Sequence, residues 1–343
     1  MRRTLLQPMN SNLYRAILLV AVLLTLTFTA AAKDWVVYES TTGPGHGKHI
    51  VLIGGDEEYR SEEALPMLGK ILATRHGFKC TVLFSINPAD GTIDPTVQTN
   101  TPGLAALDSA DLCIMSLRFR EWPDGDMKHF VDYFHRGKPV IALRTSTHAF
   151  AYSRNRQSPY AHFSWDSKQW PGGFGQQVLG ETWINHHGIH GKQSTRGVID
   201  EAHRSHPMLR GVTNIWGPTD VYGVIHLPTN ATVLAWGQVL TGMKPTDPPL
   251  DGPKNNPMMP LVWTRDHIWE NGKTSTIVTT TMGSADDLEN EDLRRLLINA
   301  CYWTTGLAEQ ISNRANVDYV GEFKATPFGF GKFQHGVKPA DLQ

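Results

Sequence analysis

The sequence has few cysteines, no excess of either charge and, after residue 32, no long hydrophobic run. Its three cysteines, Cys80, Cys113 and Cys301, each lie in an apolar stretch, where a free thiol behaves as a small buried hydrophobic group. This odd count at these positions excludes a disulfide framework. The 32 Lys and Arg residues against 33 Asp and Glu residues give a net charge of −1. A chain with so little net charge has no field that would attract nucleic acid or an anionic membrane surface, so we expect neither partner.

The composition is that of a folded domain with a polar and aromatic site. Hydrophobic residues make up 40% of the 343 residues, which is enough for a full core and excludes global disorder. The 10 tryptophans and 15 histidines exceed what a plain scaffold of this size needs. They favour a site in which rings and imidazoles meet a ligand.

The first 32 residues have the pattern of a secretory signal peptide. Arg2, Arg3 and Arg15 precede an uncharged apolar run at 16–28, and small residues follow at 29–32. The sequence therefore predicts an exported protein, periplasmic or extracellular, that leaves the membrane after cleavage. The alternative is an uncleaved membrane anchor. The remaining chain divides into a domain at 33–309 and an extended C-terminal arm at 310–343.

The first half of the domain alternates strands and helices. Continuous apolar runs such as His49–Gly55 and Leu112–Leu117 are typical of strands buried on both faces. Such alternation predicts a mainly parallel sheet with helices on both faces, and it places a site at the carboxyl ends of the strands. The predicted elements are strands at 49–55, 80–86, 112–117, 139–143, 232–239, 260–264 and 274–281, with helices at 61–76, 124–136 and 291–306.

The C-terminal arm has few aliphatic residues but contains Phe323, Phe328, Phe330 and Phe333. A segment with several rings and no core of its own must cover them. Two interpretations are open: the arm forms a homodimer contact, or it packs on its own domain.

Three acids follow the first predicted strand in the segment Asp56-Glu57-Glu58. Adjacent carboxylates at this edge of a sheet can bind a hard cation, act as acid and base, or accept hydrogen bonds from sugar hydroxyls. The alternative is that they supply negative charge to the start of the next helix.

Arginines follow two neighbouring predicted strands. Arg118 comes after the strand at 112–117, and Arg144 comes after the strand at 139–143, with His148 close behind. Guanidinium groups at one edge of a sheet predict a cationic floor for a carboxylate, phosphate or oxyanion. The alternative is a structural ion-pair network with the three acids.

Histidines are densest between Trp183 and Gly191. His186, His187 and His190 are candidate ligands of a divalent metal, Zn²⁺ or Mn²⁺, because imidazole nitrogens hold transition metals. No cofactor is established by this spacing, and the adjacent Glu of the metalloprotease motif is missing. Hydrogen-bonding histidines are the alternative. Asp220 and Tyr222 are further polar candidates.

Several short motifs follow one another in a specific order: HIVLIGG at 49–55, HPMLRG at 206–211, TDVYG at 219–223, PLVWTR at 260–265, TTTMG at 279–283 and LRRLLINACYW at 293–303. This order resembles the ThuA-like (trehalose utilisation) family, in an exported bacterial version. The resemblance implies a flavodoxin-like three-layer α/β sandwich with a mainly parallel sheet, as in class I glutamine amidotransferases. It also implies a role in the breakdown of disaccharides or keto-sugars, with a small carbohydrate as the partner.

The chain departs from the amidotransferase pattern at the residues that carry glutaminase chemistry. Arg144 stands where the nucleophilic cysteine would be, and Ser284 follows the TTTMG motif where the family pattern favours histidine. Without a thiolate and its base there is no covalent route to an acyl intermediate, so glutaminase activity is excluded.

The leading hypothesis is an enzyme that cleaves or rearranges a keto-sugar or disaccharide by acid–base or metal-assisted chemistry, as a lyase or hydrolase. A non-catalytic sugar-binding or scaffold protein and a metal-dependent hydrolase are the alternatives. In the leading hypothesis, Glu57 or Glu58 is the acid or base and Arg118 with Arg144 holds a developing oxyanion. The predicted catalytic residues are Glu57, Glu58, Arg144, His148, His187 and His190, and the predicted substrate-binding residues are Arg118, Trp183, Asp220 and Tyr222.

Overall fold

The computed structural model describes residues 33–343, so the predicted signal peptide lies outside the described residues. The apolar runs form strands as their sequence predicts. In His49–Gly55, for example, six of the seven residues are buried. Within the described part of the chain, no helix is both long and apolar enough to cross a membrane.

Ten strands and three α-helices make up the regular structure of residues 33–343. The strands are β1 (Trp35–Tyr38), β2 (His49–Gly55), β3 (Lys79–Leu83), β4 (Leu112–Leu117), β5 (Val140–Leu143), β6 (Thr195–Ile199), β7 (Ile215–Gly217), β8 (Thr232–Val239), β9 (Met259–Ile268) and β10 (Thr274–Thr280). The helices are α1 (Ser61–His76), α2 (Asp124–His135) and α3 (Glu291–Thr304). Short 3₁₀ and π turns lie between them.

All ten strands belong to one sheet with the order β1-β3-β2-β4-β5-β10-β9-β8-β6-β7. The pairs β3–β2, β2–β4, β4–β5 and β5–β10 are parallel. The other five pairs are antiparallel. The sheet is therefore mixed, and the predicted flavodoxin-like three-layer sandwich with a mainly parallel sheet is wrong.

The physical reason lies in the connections. Each parallel neighbour needs a crossover connection, normally a helix, whereas antiparallel neighbours can be joined by a turn. After β5 the chain supplies turns and loops: residues 269–273 join β9 directly to β10. The three α-helices cannot form a complete layer on both faces of ten strands. The alternation seen before residue 143 does not continue through the second half.

Two hydrophobic clusters cover the two faces of the sheet. On one face, α1 and α3 contribute side chains such as Leu68 and Leu297. On the other, α2 packs with aromatic residues such as Trp122, Phe130 and Phe174. Cys80, Cys113 and Cys301 are all buried and free, in line with their predicted place in the core.

Three short strands, β1, β6 and β7, are absent from the sequence prediction. The C-terminal segment returns along α1 and the first strands of the same chain. There the Tyr38 hydroxyl donates a hydrogen bond to the backbone oxygen of Leu342 at 2.6 Å. The backbone N–H of Ile93 donates to the backbone oxygen of Val337 at 2.8 Å.

Candidate functional site

Strained backbone marks the carboxyl ends of three neighbouring strands. Arg60, Phe119 and Arg144 are the non-glycine residues with positive φ in the described chain, at 57°, 54° and 40°. They follow β2, β4 and β5. A non-glycine residue in this conformation costs on the order of 1–3 kcal/mol and is concentrated at functional sites. The turns that follow these strands are therefore the candidate functional site.

Asp220 is the centre of the polar cluster at this edge. Its side chain is fully buried and accepts a hydrogen bond from Arg144 at 3.0 Å. The Nδ1 atoms of His186 and His190 lie 2.7 and 3.0 Å from its two carboxylate oxygens. The Arg144 guanidinium and the two histidines hold the pKa of Asp220 well below its usual range, against the opposing effect of burial. Asp220 is thus an anion that orients both imidazoles.

Gly188 lets the histidine segment approach Asp220. A Cβ atom at position 188 would lie 3.0 Å from the Cβ atom of Asp220. The backbone N–H groups of His187 and Gly188 also donate to the oxygen of Val221 at 2.8 and 3.0 Å. This pairing fixes His186 and His190 on the same side of the segment.

Glu58 completes a chain of polar groups with His190 and Asp220. The Nε2 atom of His190 lies 3.3 Å from the Oε1 atom of Glu58, while its Nδ1 atom faces Asp220. Burial, together with the nearby carboxylate of Asp56, raises the pKa of Glu58, although Arg118 and His190 oppose the rise. A carboxyl group with a raised pKa beside an imidazole is suited to proton transfer near neutral pH.

Glu57 lies between two arginines. Arg118 pairs with it, and the buried Arg120 guanidinium lies 3.2 Å from its Oε2 atom. Arg120 also donates to Ser85 and to backbone oxygens, so it serves mainly to hold the turn. Arg118 is 19% exposed in its side chain and lies 4.0 Å from Glu58, so it is the arginine that a ligand can reach.

Arg144 occupies a different position from Arg118. Its side chain is fully buried and donates to the backbone oxygens of Asp220 and Thr281 at 2.9 and 2.8 Å. The rings of Tyr59 and Tyr222 cover the two sides of its guanidinium, at 4.4 and 4.1 Å. Arg144 therefore positions Asp220, and Tyr222 packs on Arg144 with only 3% of its surface exposed.

An aromatic wall borders the polar cluster. The half-buried rings of Phe119, Trp165 and Trp183 lie in a row, with centroid distances of 5.9 and 6.1 Å. His148 packs behind them, 5.7 Å from Trp183. Burial and the neighbouring arginines hold the pKa of His148 well below its usual range, so this imidazole is neutral. The wall offers ring faces next to the charged groups.

The C-terminal segment covers the cluster from the other side. The backbone N–H of Gly329 donates to the oxygen of Glu58 at 2.8 Å, and Arg60 donates to the oxygen of Gly329. The Phe328 ring lies 5.1 Å from that of His190. Phe330 lies 4.9 Å from the Arg118 guanidinium and is 58% exposed. Two aromatic rings of the predicted arm thus border the site.

The structure brings together most of the predicted site residues, with one clear separation. Near Asp220 or the aromatic wall it places Glu57, Glu58, Arg118, Arg144, His148, Trp183, His186, His190 and Tyr222. His187 points elsewhere, and its Nε2 atom hydrogen-bonds to the backbone oxygen of Lys254 at 2.8 Å.

Two histidines and an aspartate lie close enough together to hold a metal ion. Potential ligand atoms of His186, His190 and Asp220 lie within 4.8 Å of one another. Two imidazoles and a carboxylate fit a catalytic zinc or manganese site in number and type. Such an ion would share Asp220 with Arg144. His187, predicted as a ligand, lies outside this group, and Asp220 takes its place.

Several residues of the site were not among the predicted site residues, although Phe328 and Phe330 were noted as rings of the C-terminal arm. Tyr59 covers Arg144, Phe119 and Trp165 extend the aromatic wall, and Phe328 and Phe330 come from the far end of the chain. Phe119 carried a usable signal, because it lies between two arginines at the end of a strand. The other four depend on contacts between distant parts of the sequence.

No protein-family model and no curated protein matches the chain. Among solved structures, a protein from Bacteroides uniformis ATCC 8492 named as ThuA-like is 16% identical, with a TM-score of 0.47 over 77% of this chain and 93% of its own. Another named as ThuA-like, from Parabacteroides merdae ATCC 43184, is 14% identical, with a TM-score of 0.47 over 76% and 90%. Both carry the family name that the motifs predicted. Likeness of this size transfers neither residue roles nor an activity.

Proposed function

We propose that the protein is an exported enzyme of the trehalose-utilisation type that acts on a keto-sugar or keto-disaccharide by acid–base catalysis. One observation carries the proposal: His190 lies between Glu58 at 3.3 Å and the buried Asp220 at 3.0 Å. A carboxyl group, an imidazole and an orienting anion in one line can accept a proton at one atom and return it at another.

Glu58 is the proposed base. Its carboxyl group has a raised pKa, so it holds a proton more strongly than an ordinary glutamate and is a better base when ionised. Its side chain is 8% exposed, which limits access of water. His190 is 36% exposed in its side chain and is the proposed acid, with Asp220 fixing the ring through Nδ1.

Arg118 is the proposed electrophile. A guanidinium beside the base can stabilise the oxygen of an enolate as charge develops there. Arg144 is not assigned this task, because it is fully buried and already donates to Asp220, Thr281 and Tyr59. It is a positioning residue for Asp220.

The reaction that suits these groups is elimination from a sugar that carries a carbonyl. Glu58 takes the proton from the carbon next to the carbonyl, and the C–H electron pair forms an enolate whose oxygen faces Arg118. The enolate electrons then form a C=C bond and expel the glycosidic oxygen from the adjacent carbon. That oxygen takes a proton from His190. The products are an unsaturated keto-sugar and the free second sugar, and no nucleophile or oxidant is consumed.

The aromatic residues supply the sugar-binding surface in this proposal. The C–H faces of a pyranose carry partial positive charge and pack on the negative face of an aromatic ring. Trp183 in the wall and the 58% exposed Phe330 are the rings best placed for this contact.

The test is turnover of a keto-disaccharide such as 3-keto-trehalose, with unoxidised trehalose alongside and NMR detection of products. Glu58→Gln and His190→Ala are each expected to lower kcat by about 10²–10⁴-fold while the protein stays folded. His187→Ala is the matched control from the same segment, because its imidazole faces Lys254 and not Asp220. Full turnover in both Glu58→Gln and His190→Ala would overturn the assignment. Binding of the sugar without turnover in the wild type would favour a sugar-binding protein.

A metal-dependent hydrolase is the second candidate, because His186, His190 and Asp220 offer ligand atoms within 4.8 Å of one another. A bound Zn²⁺ or Mn²⁺ would supply a water of lowered pKa. Elemental analysis of the purified chain separates the two proposals. About one equivalent of metal, lost together with activity on chelation and in His186→Ala, would favour the hydrolase. Full activity after chelation would favour the acid–base enzyme.

A further inference from the structure

A cavity lies at the end of the sheet opposite the candidate site. It has a volume of about 580 Å³, within the range of about 300–1,000 Å³ typical of small-molecule sites. It is bordered by the last turns of α2, the end of β9 and the segment 159–170. The candidate site lies after the carboxyl ends of β2, β4 and β5, whereas the β9–β10 turn lies beside the amino end of β5. Asn271 in that turn donates to the backbone oxygen of His135 at 2.8 Å.

Aromatic rings form much of the wall of this cavity. Trp170 packs on Phe163 at 5.2 Å and on His162 at 5.5 Å, and it remains half-exposed. Trp269 is anchored by its indole N–H on Ser275 at 3.0 Å and is bordered by His135 and His267. The rings are therefore fixed by contacts behind them, while Tyr160 and Trp170 keep part of their surface exposed.

Two histidines of the wall, His162 and His267, are neutral. Burial lowers the pKa of His162, and burial together with Arg265 lowers that of His267 to about 4. A neutral imidazole has one ring nitrogen that donates and one that accepts a hydrogen bond. Hydroxyl donors are the natural partners of such nitrogens.

The charge of the lining residues limits which chemical class of ligand the cavity can bind. Among the described residues that line the cavity, Glu270 is the charged one, and none is Lys or Arg. A phosphate or carboxylate would meet no cation there. Gln169 and Glu270 add amide and carboxylate groups that can bind hydroxyls. Aromatic ring faces and neutral hydrogen-bond acceptors together suit an uncharged ligand with several hydroxyl groups.

We propose that this peripheral cavity is a second binding site for a neutral saccharide, separate from the candidate catalytic site. Trp170 provides the stacking face, and His162, His267 and Gln169 provide the hydrogen bonds. The inference concerns binding alone and does not depend on the proposed reaction. A second sugar site on the opposite edge would hold a glycan while the catalytic edge stays free.

The experiment uses the full folded chain labelled with 5-fluorotryptophan and ¹⁹F NMR. Trehalose, maltose and cellobiose are the probes, and single substitutions of Trp170, Trp183 and Trp269 assign the three resonances that matter. At least one disaccharide is expected to shift the Trp170 resonance with saturation. Trp170→Ala and His162→Ala are each expected to weaken that binding about tenfold or more, as read from a second cavity resonance, Trp269. Trp183→Ala is the matched control and should leave binding at Trp269 unchanged.

Three outcomes would overturn the inference. The first is the absence of any saturable shift at Trp170 or Trp269 with all three sugars. The second is binding that both Trp170→Ala and His162→Ala leave unchanged. The third is a stronger response to choline or to glucose 6-phosphate than to the neutral sugars. Turnover of the keto-disaccharide by Trp170→Ala should equal that of the wild type, so failure here is separable from failure of the proposed function.

Discussion

The ion pair between Arg144 and Asp220 makes a measurable prediction about stability. Both side chains are fully buried, and the guanidinium lies 3.0 Å from the carboxylate. Asp220→Asn keeps the shape but removes the charge, which leaves a buried guanidinium without its anion. Removing one partner of a buried pair costs about 3–5 kcal/mol. We expect the lower end, about 3 kcal/mol, because Arg144 keeps the Thr281 oxygen and the faces of Tyr59 and Tyr222.

The assay is urea unfolding at pH 7, followed by tryptophan fluorescence, with the free energy taken from midpoints at an unchanged slope. Asp132→Asn is the matched control, because Asp132 pairs with Lys128 on the surface and both side chains are largely exposed. Exposed pairs contribute about 0–1 kcal/mol, so this control should change little. A loss below about 1 kcal/mol in Asp220→Asn would refute the account of the Asp220 network.

The same variant has a defined pH dependence. The pKa of Asp220 is depressed in the folded protein, so its ionisation contributes stability above its unfolded pKa, and that contribution is lost as pH falls through the folded value. The difference in unfolding free energy between the wild type and Asp220→Asn should therefore shrink as the solution is acidified below about pH 5. A difference that grows on acidification would contradict the assigned charge.

Three further predictions concern neighbouring groups. Burial and Asp56 raise the pKa of Glu58, so the acid limb of the kcat/KM pH profile should have an apparent pKa above that of an ordinary glutamate. An apparent pKa at or below the ordinary value would contradict the role of Glu58 as base. Burial raises the pKa of Glu62 from 4.5 to about 7, so stability falls as pH rises between these values. Glu62→Gln should then gain up to about 3 kcal/mol relative to wild type between pH 4 and 8 in urea unfolding, and an equal difference at both pH values would refute this. Phe330→Ala should raise KM for the keto-disaccharide about tenfold with kcat little changed; an unchanged KM would remove Phe330 from the sugar surface.

Much of the first half of the fold follows from apolar periodicity. The strand His49–Gly55 and the helix Ser61–His76 have the bounds that the sequence predicts. These segments are long, apolar and closed by clear stop signals such as Gly77, which adopts a positive φ of 83°. Local sequence is sufficient where the buried surface is large and continuous.

The second half could not be predicted in the same way. The strand Thr195–Ile199 contains Arg196 and Gly197 and buries only two of its five residues. It is defined by its pairing with Thr232–Val239, about forty residues away. The antiparallel half of the sheet depends on such distant pairings. Extending the early alternation to the whole chain therefore gave the wrong fold class.

The candidate site, like the fold, was predictable from the sequence only in part. The rule that polar residues after parallel strands meet at one edge brought Glu58, Arg118 and Arg144 together correctly in space. The central place of Asp220 has no local signal, because it arises from contacts with His186, His190 and Arg144 across the chain. His187 illustrates the limit, since a cluster of three histidines does not show which rings turn toward the site.

The central claim is that Glu58 removes a proton from the carbon beside a sugar carbonyl. The most direct measurement is incorporation of deuterium at that carbon when 3-keto-trehalose is incubated in D₂O, followed by NMR against an enzyme-free sample. The wild type is expected to accelerate exchange or elimination, and Glu58→Gln is expected to reduce the rate to near the enzyme-free value. Exchange that is equally fast in Glu58→Gln, or no acceleration by a folded, sugar-binding wild type, would contradict the claim.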